Sequence, residues 1–403
     1  MRALVVVGSD LTQNTSANLC HRAYVQGLAR HGCAVDVLTV GTDRSQFRFG
    51  LSNVREFYYP MESLYERLSS FRRKKTGGTA TAEQPAEGTT SQNGCLLHRV
   101  KHFVHTLYGP YEVYRAWEKK ARRFTQTCEY DHVISLSFPP VSHHLTYYLL
   151  QKKRIQVKHW IQLWEDPWCL DLVFRSLNDE KAICRAEEEE HHLLRIADEV
   201  LYVSPITLQH QQELFPDCAA KMKWLPVPTY YSNTSRTSVQ SEKRYGYFGD
   251  YSTKIRNLTP FYQAALQSGV PVNICGYSDR MLVSNASIRV RPRISLEELR
   301  PIEDDTNVLV FLSNLRGGQI PGKIYQYAAT YKTVLFILDG TAEEQDVLRS
   351  FFGQFHRFVF CENTVESITD AIGRIERGEL GDVVNRPLDD FAPERIIQKI
   401  LEG

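Results

Sequence analysis

The chain has 403 residues, 42% hydrophobic and 24% charged, with a formal net charge of +1. That length exceeds one ordinary core and sets two domains as the expectation, and the near-zero charge gives no global field toward nucleic acid, so no nucleic-acid partner is expected. No apolar run approaches the roughly 18 residues of a membrane span, and the nine cysteines never form Cys-x-x-Cys, which fits reduced thiols and a cytoplasmic protein better than a disulfide frame or zinc site.

The start, "MRALVVVGSD", is too short in apolar residues for a signal peptide and reads as a first buried strand, Ala3 to Val7. Ser16 to Arg30 has helical spacing and stops at His31-Gly32. Ala34 to Val40 is the next strand, and this strand-helix-strand order implies a right-handed crossover and a parallel sheet. Further strands are predicted at Val133 to Ser137, Val157 to Leu163 and Glu199 to Val203. A helix carrying Glu187 to Glu190 lies between the last two. Those four side chains fan round the axis, so a solvated helix is expected rather than a metal site. His143-His144 and His191-His192 are adjacent pairs, which on a helix do not face one ligand. No metal is expected.

Two segments break the alternation. Arg72 to Gly94 is rich in Gly, Thr and Ser and poor in apolar residues, so a mobile surface loop is expected at about 72–94. The basic clusters Arg72 to Lys75 and Lys119 to Arg123 suit either a solvated face or a peripheral contact with anionic lipid at the membrane inner face. Leu225 to Arg244 has linker chemistry. After it the alternation restarts, with strands at Tyr245 to Phe248, Val272 to Cys275, Ile288 to Val290, Val308 to Leu312, Thr333 to Ile337 and Arg357 to Phe360, and a helix over Leu258 to Gln267. The expected organisation is a first domain over 1–225, a linker over 226–243, a second domain over 244–387 and a terminal helix over 388–403.

In a parallel α/β sheet, ligands collect at the carboxyl ends of the strands. The strand Val308 to Leu312 runs into "SNLRGGQIPGK". Gly317 and Gly318 allow close backbone approach to a ligand, Pro321 or Gly322 opens a helix, and Lys323 puts a charge in its first turn. An anion such as phosphate accounts for that lysine; a tight turn with a solvent-facing lysine is the plainer alternative.

"GGQIPGKIYQYAATYKTVLFI" resembles the donor-binding segment of the GT-B glycosyltransferases, in the large retaining family that includes many polysaccharide and glycolipid enzymes. "YGYFGDYSTKIRNLTPFYQAA", "WIQLWEDPW", "ADEVLYVSP" and "FAPERIIQKILEG" are similar, in order, to further pieces of that family. The resemblance spans nearly the whole chain. It implies two Rossmann-like parallel-sheet domains facing a central cleft. The first domain is the acceptor side, the second binds a nucleotide-diphosphate sugar, and the terminal helix crosses back to the first domain. A metal-independent transfer to a glycan or lipid-linked acceptor is implied.

Carried over by residue, the resemblance places Arg256 and Lys323 against the donor diphosphate, with Gly249, Gly317 and Gly318 in the donor-side loops. Family members carry Glu-x7-Glu where this chain has Gly318 and Gln326. Gln326 is expected to face the nucleotide ribose, and the lost glutamates keep a non-catalytic GT-B protein open as an alternative. In the first domain, Gly8, Asn14 and Thr15 stand in the first loop, with Thr15 or Ser16 as helix N-cap. "WEDPW" offers Glu165 and Asp166 beside Trp164 and Trp168. A carboxylate there suits deprotonation of an acceptor hydroxyl and the rings suit sugar stacking; Asp166-Pro167 equally suits a turn, with the tryptophans as packing.

Overall fold

A computed structural model describes residues 1–13, 15–42, 46–61, 112–137, 140–170, 175, 178–230, 243–316 and 318–402. The expected loop at 72–94, Asn14 and Gly317 lie outside the described residues. Two compact units are present: Met1–Leu201 with Ala220–Met222, and Tyr202–Ala219 with Lys223–Gly403.

The first sheet is built from β1 (Arg2–Val7), β2 (Ala34–Val40), β3 (Val54–Tyr59), β4 (Glu129–Ser137), β5 (Gln156–Trp164), β6 (Glu199–Tyr202) and β7 (Met222–Trp224). Their order is β3-β2-β1-β4-β5-β6-β7, and the pairs β1–β2, β2–β3, β1–β4 and β4–β5 are parallel. The predicted β1, β2, β4, β5 and β6 are present. β3 and β7 were not predicted: β3 alternates little and only Val54 is buried, and β7 has three residues. Helices α1 (Ser16–Arg30), α2 (Glu112–Ala121), α3 (Val141–Gln151) and α4 (Glu180–Ile196) join these strands. Thr15 caps α1, its Oγ1 accepting from the Asn18 N–H at 3.2 Å. The core gathers Leu4, Val6, Trp117, Val133, Leu145 and Trp160. One charged cluster is built into the edge of this core. Buried Asp36 accepts from Arg55 Nε at 2.8 Å, Tyr130 Oη at 2.6 Å and Arg2 at 3.2 Å.

The second sheet contains β8 (Tyr245–Phe248), β9 (Val272–Cys275), β10 (Ile288–Arg291), β11 (Val308–Leu312), β12 (Thr333–Leu338) and β13 (Phe358–Glu362). Its order is β10-β9-β8-β11-β12-β13, all parallel. The predicted strands of this half are all present, with ends shifted by a residue or two. In both sheets the chain winds outward from the first strand and then reverses, so each has a topological switch point, at β1/β4 and at β8/β11. The second unit also holds α5 (Pro205–Leu214), α6 (Thr259–Ser268), α7 (Leu296–Asp304), α8 (Lys323–Ala328), α9 (Ala342–Gly353), α10 (Val365–Arg377) and α11 (Pro393–Glu402). α10 buries Ile368, Ala371, Ile372 and Ile375 at helical spacing, each isoleucine stabilising by about 2 kcal/mol. Two buried cations tie turns to the sheet. Lys332 Nζ donates to the carbonyls of Asp304 at 2.8 Å and Thr306 at 2.6 Å, closing the end of α7. Arg357 Nη2 donates to the carbonyls of Thr330 at 2.7 Å and Lys332 at 2.6 Å.

Two boundary expectations change. Tyr202–Ala219, placed with the first domain by sequence, belongs to the second unit. The reason is local: Ser204 Oγ donates to the Gly318 carbonyl at 2.5 Å, and Ile206 packs against Gly318. The terminal helix α11 also belongs to the second unit. The chain entering it is held there by Phe391, whose ring meets Tyr325 at 4.9 Å and Phe355 at 5.1 Å.

Candidate active site

The carboxyl end of β8 leads into a turn at Gly249-Asp250. The Gly249 N–H bonds the Cys275 carbonyl at 2.9 Å, and the Tyr251 N–H bonds the Tyr277 carbonyl at 3.0 Å. Strand-end loops therefore zip together beside the switch point. Gly276 is what permits this: a Cβ there would stand 1.9 Å from the Gly249 carbonyl oxygen. At Gly249 itself a Cβ meets only the Tyr247 hydroxyl, at 3.8 Å. Sequence reasoning chose Gly249 and missed Gly276, whose signal was the Cys-Gly step ending an apolar strand.

Arg256 follows in the same loop. Its backbone pairs with Ser252 in both directions at 3.0 Å, and the neighbouring Ile255 carbonyl accepts from the Leu315 N–H at 2.7 Å. The loops that carry Arg256 and Lys323 are thus joined by a hydrogen bond across β8/β11. Arg256 Nε is shielded from solvent and has no hydrogen-bond partner among the described residues. The guanidinium sits by the Tyr247 hydroxyl, where it counters part of the rise that burial imposes on that phenol's pKa.

Lys323 is the first residue of α8, after Gly322 at the N-cap. Its Nζ lies 5.9 Å from the ring centres of both Phe248 and Tyr327. The ammonium is half-buried and makes no hydrogen bond or ion pair among the described residues. Burial lowers its pKa, opposed by the carboxylate of Glu303. Tyr247 and Phe248 are consecutive strand residues whose side chains take opposite faces, so Arg256 and Lys323 flank the end of β8 from its two sides.

Gln326 and Gly318 do not take the places expected of them. Gln326 is 4% exposed. Its Oε1 accepts from the Tyr230 N–H at 3.0 Å and its Nε2 donates to the Pro228 carbonyl at 3.5 Å. The amide is occupied in holding the 228–230 segment, because that stretch of backbone has no sheet partner to satisfy it. Gly318 is needed for the chain itself: its φ is +69°, and a Cβ would meet Ile206 at 2.4 Å.

In the first unit, the ends of β1, β4 and β5 form a second polar cluster. The Gly8 N–H donates to Ser142 Oγ at 2.9 Å. Asn18 Nδ2 donates to the carbonyls of Asp10 at 2.8 Å and Gln13 at 3.2 Å, shaping the first loop. Glu165, just past β5, has Oε1 3.4 Å from His21 Nε2. Asp166 is half-buried. The tryptophans of "WEDPW" are buried rather than presented for stacking. Trp164 lies against the His143 ring at 4.4 Å and donates from Nε1 to Gln162 at 3.0 Å. Glu190 lies on a helix expected to be solvated, with a structural role near the cleft as the alternative from the resemblance; it is fully buried and accepts from the Cys169 N–H at 3.0 Å. It serves the loop that follows β5. On the basic cluster of α2, Arg122 is held to Glu118 at 2.7 Å and over the Tyr148 ring at 4.4 Å.

Sequence reasoning passed over His21 and His143. The signal for His21 was present: Asn18, His21, Val25 and Leu28 form the buried stripe of α1, and two polar residues in such a stripe, near a strand's carboxyl end, mark a site. His143 Nδ1 lies 2.7 Å from Ser135 Oγ, which accepts from Trp160 Nε1 at 2.9 Å. The hydroxyl oxygen has two lone pairs and one proton, so Ser135 can serve either neutral tautomer of the imidazole. Burial holds its pKa well below the usual histidine range.

No protein-family model matches the chain, and no curated protein sequence matches it. Solved structures do. A glycosyltransferase from Rickettsia africae aligns with TM-score 0.52 and 10% identity over 100% of this chain and 97% of that one. An Escherichia coli trehalose-6-phosphate structure bound with UDP-2-fluoro-glucose aligns with TM-score 0.53 and 9% identity, over 100% and 96%. The lipopolysaccharide outer core galactosyltransferase WaaB aligns with TM-score 0.50 and 9% identity, over 100% and 98%. The fold is that of the GT-B glycosyltransferases. Strand order gives this GT-B fold one switch point in each unit, and Arg256 and Lys323 stand at the one between β8 and β11. Among the described residues, no helix is long and apolar enough to cross a membrane.

Proposed function

We propose that the protein transfers a sugar from a nucleotide-diphosphate sugar to an acceptor hydroxyl in glycan, polysaccharide or glycolipid synthesis, without a metal and with retention at the anomeric carbon. The observation that carries the proposal is Lys323, a half-buried cation with no hydrogen bond among the described residues, beside the β8/β11 switch point. A partly desolvated ammonium without a hydrogen-bond acceptor is costly, and a diphosphate supplies that acceptor, with more charge than the Glu303 carboxylate provides. In the transfer, the acceptor oxygen bonds the anomeric carbon on the same face from which the diphosphate departs, so that the configuration is kept, as the bond to the diphosphate breaks. The electron pair leaves on a phosphate oxygen, where Lys323 and Arg256 stabilise it. The hydroxyl proton goes to a carboxylate, with Glu165 and Asp166 the candidates. Retention is carried only by the resemblance of the donor segment to the retaining family.

A second reading is a non-catalytic GT-B protein that binds a nucleotide or glycan or partners an active transferase. The bonds of the Gln326 amide to the 228–230 backbone favour it. A thermal-shift panel of UDP-, GDP-, ADP- and CMP-sugars, followed by turnover assays on the hits, separates the two. Binding with turnover that is lost in Lys323→Ala and Arg256→Ala supports the enzyme. Binding without turnover supports the second reading, and no binding to any of the four sinks the first.

A further inference from the structure

His21 has an environment that packing alone does not explain. Its side chain is completely buried, yet neither ring nitrogen makes a hydrogen bond among the described residues. Its Nε2 stands 3.4 Å from Glu165 Oε1. That oxygen is also shielded and without a hydrogen bond, while the Glu165 side chain as a whole keeps 10% exposure. The carboxylate therefore has an inner oxygen against His21 and an outer oxygen reached by solvent. Cys20 is a titratable neighbour of Glu165. Burial pushes its thiol pKa up, and the charge on Glu165 pushes it further.

We propose that His21 is a positioning residue for Glu165: it holds Oε1 from behind so that Oε2 is presented as the proton acceptor for a hydroxyl substrate. The inference rests on the glycosyl-transfer reading and deepens it by choosing Glu165 over Asp166. Oε2 takes the hydroxyl proton as the acceptor oxygen bonds the sugar carbon and the diphosphate leaves with its electron pair. A carboxylate with no partner for its inner oxygen can rotate that oxygen outward or be displaced; the imidazole removes that freedom, and removing either member leaves the other buried and uncompensated.

The test uses the full chain and the variants H21L, H21N, H21Q, E165Q and H21L/E165Q. With the nucleotide sugar that the wild type turns over, H21L is expected to lower kcat about tenfold or more while nucleotide Kd stays within about twofold. H21Q, whose amide can donate to the same oxygen, is expected to recover most of the loss. H21L is expected to cost nothing further in the E165Q background, because the two act as one unit. H21N, polar but too short to reach Oε1, should behave as H21L and keeps the test intact if H21L folds poorly. Wild-type kcat in both H21L and H21N overturns the proposal, as do losses that multiply in the double variant. If the wild type turns over no nucleotide sugar, the transferase reading fails by itself, and crystal structures decide the positioning. Glu165 turned from its direction in H21N but not in H21Q supports it; an unmoved carboxylate in H21N overturns it.

Discussion

Replacing Lys323 with methionine should separate function from stability. The methionine keeps most of the aliphatic stem and removes the charge. In the unliganded protein the ammonium gains little: both rings lie 5.9 Å away, at the outer edge of the cation–π range, where about 0.5 kcal/mol is available. Against that stands the burial that lowers the pKa of Lys323. The apo protein should therefore unfold at the same denaturant concentration or gain up to about 1 kcal/mol. Nucleotide binding should move the other way, losing roughly 1.5–3 kcal/mol, or about 10- to 150-fold in Kd, for a charged hydrogen bond to phosphate. The pH dependence has a definite sign. A lysine whose folded pKa is below its unfolded value binds fewer protons folded than unfolded between the two. Wild-type stability should then rise relative to Lys323→Met as pH climbs through the folded pKa toward the unfolded value of about 10.4. Nucleotide affinity should fall over the same window as the cation is lost. Calorimetry with nucleoside diphosphates and urea melts at several pH values measure both. A variant that binds nucleotide as tightly as the wild type, or that is several kcal/mol less stable, would refute the reasoning.

Asp36→Asn should cost about 2–4 kcal/mol, since Arg55, Arg2 and Tyr130 all converge on that carboxylate. Burial works to raise the Asp36 pKa, but the bonds from Arg55 and Tyr130 leave it lowered; the stability difference from the variant should be present above the ordinary value of about 3.9 and vanish as pH falls through the folded pKa, by chemical denaturation. Gly276→Ala should destabilise by about 3 kcal/mol or more, because its Cβ would meet a carbonyl oxygen at 1.9 Å, while Gly249→Ala stays within about 1 kcal/mol; equal effects would refute the geometry. Gln326→Glu keeps an acceptor for the Tyr230 N–H but loses the donor to Pro228 and buries a charge. It should lose about 1–3 kcal/mol of stability without tightening nucleotide binding, and tighter binding in calorimetry would return Gln326 to the ribose. His143 should remain neutral from about pH 8 to about pH 5, across the usual histidine value, because burial lowers its pKa; 15N NMR showing two protonated nitrogens at the lower pH would contradict that burial.

The strand-helix alternation was legible because parallel strands are buried on both faces and read as continuous apolar runs. Ala34–Val40, Tyr245–Phe248, Val272–Cys275 and Val308–Leu312 carry their boundaries in that pattern alone. The two-unit layout and the loops at strand carboxyl ends followed from it, and so did Lys323 at the start of a helix, while Arg256 came only from the resemblance to the GT-B family. What the chain order could not give was which groups a side chain meets from distant segments. Gln326 was assigned to a ribose by its place in a helix, but Pro228 and Tyr230, about a hundred residues earlier, claim both ends of its amide. Gly318 looked open to a ligand until Ile206 was seen against it. Glu165 and His21 lie far apart in sequence, one just past β5 and the other on α1, and only the fold brings them to 3.4 Å. Periodicity is a local property of burial and survives in one dimension; the pairing of polar atoms depends on three-dimensional neighbours, and only the folded chain decides it.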